Sequence, residues 1–465
     1  MKKIHLIGIG GTGLSAIARV LLENGHAVSG SDRVASPLFK AITSAGAKTY
    51  LGHAAEQVAG ADLVIRSSAI PDDNPEVIAA KAEGIPVLKR SEFLKDLTQD
   101  KDTLAVAGSH GKTTTTAMII WMLDRLGLDP SFIAGGVVNQ LDCNARAGTG
   151  LYFAIEADEY DHMFLGLAPK IAIITNIEHD HPDCFPTEAD YRAAFKAFLE
   201  RVRADGVALL CLDDPATHDL MQEMDDVDFT MLSYGTSNQA HYLADELQNN
   251  EVGLPEFDLL FRDPESGEAH HKIGQASLRI PGQHNVLNAT AALGAIHQLG
   301  LPIKEAIDAL THFTGAGRRF EVIGTANGVT VIDDYGHHST EIAATLKAAR
   351  SRYPGQKIWA IWEPHTYSRT KKLEPAFIEA LDLADSVVVL KVYAAREESP
   401  GYTSEVIAQK LPGHKGVYMD DFDTASSFLL ANLSPGDIAI VFSAGDATQV
   451  SQTVLSGLQK RERHA

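Results

Sequence analysis

Short apolar runs, each entering a glycine-bearing turn and followed by a stretch of helical periodicity, recur along the chain. Lys3 to Ile9 reads as a short buried strand, a glycine-rich turn follows, and Leu14 to Glu23 spaces its apolar residues as one helical face that Gly25 closes. Leu63-Val64-Ile65 and Pro86-Val87-Leu88 are further strands, each after a helical stretch, so residues 1–100 predict a small open α/β sheet. The polar segment Leu97 to Asp102 reads as a linker. A new apolar strand, Thr103 to Ala107, then runs into Gly108-Ser109-His110-Gly111-Lys112-Thr113 and a long helix.

Strands at Tyr152 to Ile155, Ile171 to Thr175 and Val207 to Leu212 alternate with helices, and the polar stretch Tyr242 to Ser277 reads as antiparallel decoration. A helix from Asn285 to Gln298 ends at Gly300. Val329 to Asp333, Ile358 to Trp362, Ser386 to Leu390 and Ile438 to Phe442 recur with helices between them, predicting a third α/β domain. The expected division is 1–100, 101–314 and 315–465.

Composition narrows the class. A chain of 465 residues with 45% hydrophobic and 22% charged residues, free of repeats, is a multidomain globular protein. Its 40 Lys and Arg against 61 Asp and Glu leave a net charge of −21, which argues against bulk attraction to nucleic acid or anionic membrane. Any phosphate site must therefore be built locally. Cys143, Cys184 and Cys211 have neither CxxC spacing nor an even count, so a reducing, cytoplasmic setting is expected. The apolar run after Lys2 and Lys3 meets glycines at once, so neither a signal peptide nor a membrane anchor is expected.

Two glycine loops carry the candidate chemistry. Gly8-Ile9-Gly10-Gly11-Thr12-Gly13 satisfies GxGxxG between a strand and a helix, and Asp32 follows where a ribose-binding acid would sit. The loop would seat a pyrophosphate on a helix N-terminus; a merely tight turn is the plainer alternative, and an NAD-dependent dehydrogenase one natural guess. The second loop resembles a phosphate-binding P-loop, although Val106 stands where the standard pattern has its first glycine. Its glycines would let backbone N–H groups approach phosphate oxygens, Lys112 would neutralise β/γ charge, and Thr113 would offer a hydroxyl to Mg²⁺. Glu156-Ala157-Asp158-Glu159 and Asn176-Ile177-Glu178-His179-Asp180-His181 each follow an apolar strand, where acids that hold a metal bound to triphosphate belong. Solvated acidic loops are the alternative for any one of them. A zinc hydrolase lacks its HExxH here.

In order and spacing these motifs resemble the Mur ligase family of peptidoglycan precursor enzymes over nearly the whole chain. The stretches that carry the resemblance are GIGGTGLSAIA at Gly8, GSHGKTTTT at Gly108, EADE at Glu156, TNIEHDH at Thr175, GQHNVLNATAA at Gly282, GRRFE at Gly317, DDYGHHSTEI at Asp333 and EPHTYSRT at Glu363. The family implies an α/β fold of three domains: a Rossmann-like N-terminal domain for a UDP-substrate, a central P-loop ATPase with a mainly parallel sheet, and a C-terminal Rossmann-like domain. DDYGHH, EPHTYSRT and VYAAREE at Val392 point within it to a ligase that adds L-alanine to the lactyl carboxylate of UDP-N-acetylmuramate through an acyl phosphate. Tyr160 in EADEYD also occurs in the relative that attaches a recycled tripeptide, which is the alternative substrate.

Carried over motif by motif, the resemblance implies ATP contacts from Gly108, Ser109, His110, Gly111, Lys112, Thr113, Thr114, His284, Asn285, Asn288, Arg318, Arg319 and Asp334. Thr113, Glu156 and His181 would hold Mg²⁺, two ions in all. Gly10, Gly11, Thr12, Gly13, Ser15, Asp32, Ser67 and Ser68 would meet the UDP-sugar, and Tyr335, His337, His365 and Arg369 the amino acid. Lys112, Glu156, His181 and His338 form the implied catalytic set, with His338 a base for the attacking amine. The implied partners are UDP-N-acetylmuramate and L-alanine alone, with no nucleic acid and no membrane insertion, in a monomer or homodimer. A dehydrogenase would leave the second loop unused, and a non-enzymatic nucleotide-binding regulator would leave the acid and histidine clusters unexplained.

Overall fold

In the computed structural model, which describes residues 1–224, 226–395, 397–399 and 401–464, the chain builds three sheets. Arg396 of the VYAAREE stretch lies outside the described residues. The chain divides into two compact units: Met1–Leu247 with Phe257–Ala276 and Leu287–Phe313, and Gln248–Glu256 with Ser277–Val286 and the residues from Thr314 onward.

The first unit holds the N-terminal sheet and most of the larger one. In the N-terminal one, five parallel strands lie in the order Lys48–Leu51, Ala27–Asp32, Lys3–Ile7, Leu63–Arg66, Val87–Lys89. The chain winds to one side of Lys3–Ile7 and then to the other, so a switch point opens at the end of that strand, where open α/β sheets bind ligands. The Gly8–Gly13 turn occupies it. The expected linker is shorter than its polarity suggests: the helix Arg90–Thr98 takes Leu97 and Thr98, closed by the Thr98 hydroxyl on the Leu94 carbonyl at 2.9 Å, and the next strand begins at Asp102.

The larger sheet runs His271–Ser277, Pro255–Phe261, Tyr242–Asn249, Thr230–Gly235, Val207–Cys211, Ile171–Ile174, Asp102–Ala107, Tyr152–Glu156, Ser131–Val138, Cys143–Arg146. Its central strands pair in parallel, with an antiparallel hairpin at the Cys143–Arg146 edge. Because both faces are covered, the central strands are apolar throughout: Leu104, Ala105, Val106, Ala107 and Ile171 to Ile174 are fully buried. Tyr242–Asn249 joins in parallel, and the turn closed by Asn250 and Leu254 reverses the chain into Pro255–Phe261. A continuous buried cluster runs from Ile4 and Leu6 of the first sheet to Phe153, Ile174 and Leu210 of the second.

The second unit holds the third sheet, ordered Glu321–Ala326, Val329–Asp334, Ile438–Phe442, Ile358–Trp362, Ser386–Leu390, Gly416–Met419, parallel except for its first pair. Apolar clusters cover both of its faces. Among the described residues no helix is long and apolar enough to cross a membrane.

Candidate active site

The first glycine loop is shaped by the strand beside it. Gly8, at φ +90°, and Ile9 both donate their amides to the Ser31 carbonyl, at 2.8 and 3.1 Å. Asp32 then accepts from the Gly10 amide at 2.9 Å and the Val34 amide at 3.2 Å, so its carboxylate shapes the loop. The Ser36 hydroxyl fastens the Gly10 carbonyl at 3.0 Å. Ser67 approaches Gly8 so closely that a Cβ there would lie 3.1 Å from its own, whereas Ser68 is exposed. Ser15 is buried and bonds back to the Thr12 carbonyl at 3.1 Å. The helix Thr12–Glu23 starts inside this loop, and its first-turn amides have no intrahelical partner, the usual setting for an anion.

Arg90, to which sequence reasoning assigned no role, lies across Gly13 where a Cβ would collide with its guanidinium, and reaches Asp158 at 3.2 Å. A cleft of about 120 Å³ opens here, lined by Thr12, Gly13, Arg90, Gly135, Glu156 and Asp158 among others. The first loop and the acidic strand end of the larger sheet thus face one space.

The second loop follows Asp102–Ala107 and opens the helix Lys112–Arg125. Gly108 has φ +132° and Gly111 φ +83°; a Cβ on the first would lie 2.0 Å from Thr175 Oγ1, and on the second 2.6 Å from Asn288 Oδ1. Thr175 and Asn176 brace the loop from the neighbouring strand: the Thr175 hydroxyl and the Asn176 amide nitrogen donate to the His110 carbonyl at 2.5 and 3.1 Å, and Asn176 Oδ1 accepts the His110 amide at 2.9 Å. His110 Nε2 lies 2.8 Å from Glu178. Thr113 and Thr114 are buried in the first turn.

Lys112 Nζ lies 2.9 and 3.1 Å from the two carboxylate oxygens of Glu159, and also donates to the Gly108 carbonyl of its own loop. Burial opposes its charge, but Glu159, Glu156 and Asp158 outweigh that and hold its pKa above the ordinary lysine value. Tyr191 supports this arrangement, donating to Glu159 at 3.0 Å with Ser109 Oγ at the same distance. His181, at φ +52°, places Nε2 3.8 Å from Glu159 and its ring edge-on to Tyr160. Lys112 and His181 therefore meet at Glu159. Glu156 differs, its carboxylate accepting the Gly135 amide at 2.7 Å while still in the field of Lys112. The fully buried Glu159 and Tyr191 escaped sequence reasoning as individual residues, although EADE contains the former.

These features fit a nucleoside triphosphate. Two glycines leave room only for backbone, and the ammonium against the Gly108 carbonyl is compensated by carboxylates that a phosphate would replace. The hydroxyl of Thr113, the carboxylate of Glu156 and the imidazole of His181 are donors suited to Mg²⁺ and its waters.

In the second unit, Arg318 and Arg319 both place their guanidinium over the Tyr335 ring, at 5.1 and 5.0 Å. Arg318 also donates to the Ser443 carbonyl at 2.5 Å, and Tyr335 returns its amide to the Arg318 carbonyl at 2.7 Å. Asp334 is buried, accepting the amides of Phe320 and Gly336 at 2.8 and 2.7 Å; burial raises its pKa, with Arg319 opposing. Burial pushes His284 down to about 4, with Glu341 opposing and Arg319 reinforcing, so this imidazole is neutral at pH 7. Asn285 is fixed by its bond to the Pro281 carbonyl at 2.7 Å. Rings continue the array from Tyr335 to His337 at 5.5 Å, from His337 to His365 at 5.6 Å, and from His365 to Tyr393 at 5.7 Å. Arg369 reaches His365 Nδ1 at 3.2 Å. His338, buried, caps the helix Ser339–Arg352, with Glu341 accepting its amide at 3.2 Å. The structure thus joins Arg318, Arg319, Tyr335, His337, His365 and Arg369 into one array.

The chain is also similar to known proteins along nearly its whole length. Residues 3–102 match the model described as Mur ligase family, catalytic domain; residues 106–296 match Mur ligase middle domain; and residues 318–445 match Mur ligase, glutamate ligase domain. A UDP-N-acetylmuramate–L-alanine ligase from a Geobacter species is 41% identical over 466 residues, covering 99% of this chain and 98% of that protein. Among solved structures, UDP-N-acetylmuramate–alanine ligase from Thermotoga maritima superposes with a TM-score of 0.82 at 28% identity, covering 99% of this chain and 100% of that one. A murein peptide ligase from Psychrobacter arcticus gives 0.71 at 26% identity, with 99% of each chain covered.

Proposed function

The chain belongs to the Mur ligase family, and from that premise we propose that it joins L-alanine to the lactyl carboxylate of UDP-N-acetylmuramate at the expense of ATP. The observation that carries the reading is the partly buried Lys112 held among carboxylates in a glycine cradle, in one unit with a pyrophosphate-type loop. The similarity to alanine-adding ligases over the full chain supports the choice of amino acid. In this reading the reaction runs in the cytoplasm, in a monomer or homodimer whose domains are 1–100, 101–314 and 315–465.

ATP supplies the γ-phosphoryl group that turns a poor carboxylate electrophile into an acyl phosphate, and Mg²⁺, two ions, would counter its charge from Thr113, Glu156 and His181. Lys112 provides fixed positive charge where two anions must meet. Gly108 to Thr114 bind the phosphates through backbone and hydroxyl groups, with Asn288 against the loop. Gly10 to Gly13, Ser15, Asp32, Ser67 and Ser68 hold the UDP-sugar. His284, Asn285, Arg318, Arg319 and Asp334 contribute to ATP, the neutral His284 as a hydrogen-bonding group. Tyr335, His337, His365 and Arg369 bind the amino acid, whose α-carboxylate suits a guanidinium fork. His338 takes the proton from the attacking ammonium.

Phosphate release with ATP and UDP-N-acetylmuramate tests the reading, comparing L-alanine, glycine, L-serine and the tripeptide. Turnover with L-alanine at the highest kcat/KM is expected. Turnover with the tripeptide alone would overturn the substrate assignment.

A further inference from the structure

A carboxylate and two imidazoles lie behind the first glycine loop, none of them with a role so far. Glu76, fully buried, stands in the first turn of the helix Pro75–Ala82. Its Oε1 lies 3.1 Å from Nε2 of the fully buried His5, and its Oε2 lies 2.7 Å from His53 Nδ1 and 2.6 Å from Ser31 Oγ. His5 Nδ1 in turn meets Ser29 Oγ at 2.9 Å. Burial pushes the Glu76 carboxyl up, but the hydrogen bonds from His5 and Ser31 and the charge of His5 outweigh it and hold the group below its ordinary range. A buried ionic cluster is no better for stability than apolar packing of the same volume, so its use lies in what it fixes.

What it fixes is Ser31. The hydroxyl of that residue is anchored on Glu76, and its carbonyl accepts the amides of both Gly8 and Ile9. The next residue, Asp32, accepts the amide of Gly10. Three consecutive loop amides are therefore tied back to the end of one strand, which leaves the N-terminus of the helix Thr12–Glu23 to face an anion. Any shift of Ser31 moves the loop that presents those donors.

We infer that His5, Glu76 and His53 form a positioning network for the diphosphate of the nucleotide-sugar, acting through Ser31 on the Gly8–Gly13 loop. The inference rests on the reading of that loop as the UDP-sugar site. Glu76→Gln removes the charge at the centre of the network. Ser31→Ala cuts the link, together with the 3.0 Å contact between Ser31 Oγ and His53 Nδ1, but leaves Glu76 both imidazoles, and decides by itself if Glu76→Gln does not fold.

Calorimetric binding of UDP-N-acetylmuramate and steady-state phosphate release are measured on the full chain. Each variant should raise Kd and KM for UDP-N-acetylmuramate about tenfold, the size expected for losing a hydrogen bond to a charged group. The kcat and the KM for ATP should stay within about twofold of wild type, which general loosening would not allow. Unchanged Kd in Ser31→Ala, or an equal rise in both KM values, overturns the inference. A wild type that itself fails to bind UDP-N-acetylmuramate sinks the reading of the loop as well, whereas wild-type binding with unaffected variants sinks the positioning network alone.

Discussion

Replacing Lys112 by alanine separates two consequences of one ammonium group. In the folded chain that group lies 2.9 Å from Glu159, whose side chain is only 2% exposed. Removing one member of a buried pair costs about 3–5 kcal/mol because the other is left charged in a poor solvent. Glu159 keeps the Tyr191 hydroxyl at 3.0 Å and can take up a proton, so a loss near the lower end, about 3 kcal/mol, is expected. Adding Glu159→Gln removes the orphaned charge while its amide oxygen still accepts from Tyr191, and the double variant should recover about 2 kcal/mol of stability. Turnover should not follow. Charge facing a transferring phosphoryl group is worth about 2.7–4 kcal/mol, a hundred- to a thousandfold in kcat, and the second substitution restores none of it. Urea denaturation reads the first quantity and phosphate release the second. A double variant no more stable than Lys112→Ala, or either variant within about tenfold of the wild-type kcat, would refute the reasoning.

Gly111→Ala combines a left-handed backbone, φ +83°, with a Cβ 2.6 Å from Asn288 Oδ1; ATP titration should show affinity falling about tenfold or more, at a cost of about 1–3 kcal/mol in stability. His284, lowered by burial to about 4 from 6.5, gives the unfolded chain more bound protons between those values. Its contribution is therefore fully present above pH 6.5 and lost as pH falls towards 4, about 3 kcal/mol in all, and pH-dependent denaturation of His284→Gln should show that part of the profile flattened. Arg369→Lys keeps the charge but loses the planar fork, so the KM for L-alanine should rise about tenfold while the KM for ATP stays unchanged in initial-rate assays.

Strands such as Ile358–Trp362 and Ile438–Phe442 are legible to the residue because both faces of their sheet are covered, leaving an unbroken apolar run. Ala27–Asp32 is not, and the reason is steric. A Cβ at Gly30 would lie 2.5 Å from the Leu6 carbonyl, so this strand carries small and polar residues where it passes the first strand. Ser131–Val138 is hidden similarly, since Gly135 must admit the Glu156 carboxylate. At the site, both glycine loops announce themselves through local spacing. Glu159 does not, because only the fold distinguishes it from the half-buried acids beside it, and Tyr191 comes from the helix Glu188–Leu199, whose pattern shows nothing beyond a packed face. His284 and Asn288 have no chemical signature in sequence; family resemblance alone singles them out, and the folded chain then sets Asn288 against Gly111.

The central claim is that ATP activates the sugar carboxylate. UDP-N-acetylmuramate carrying ¹⁸O in both lactyl carboxylate oxygens, turned over with ATP and L-alanine, tests it directly by mass analysis of the phosphate released. Formation of an acyl phosphate and its attack by the amine must leave one ¹⁸O in the amide and carry the other into inorganic phosphate. Phosphate released without ¹⁸O, while the amide forms, would contradict the account.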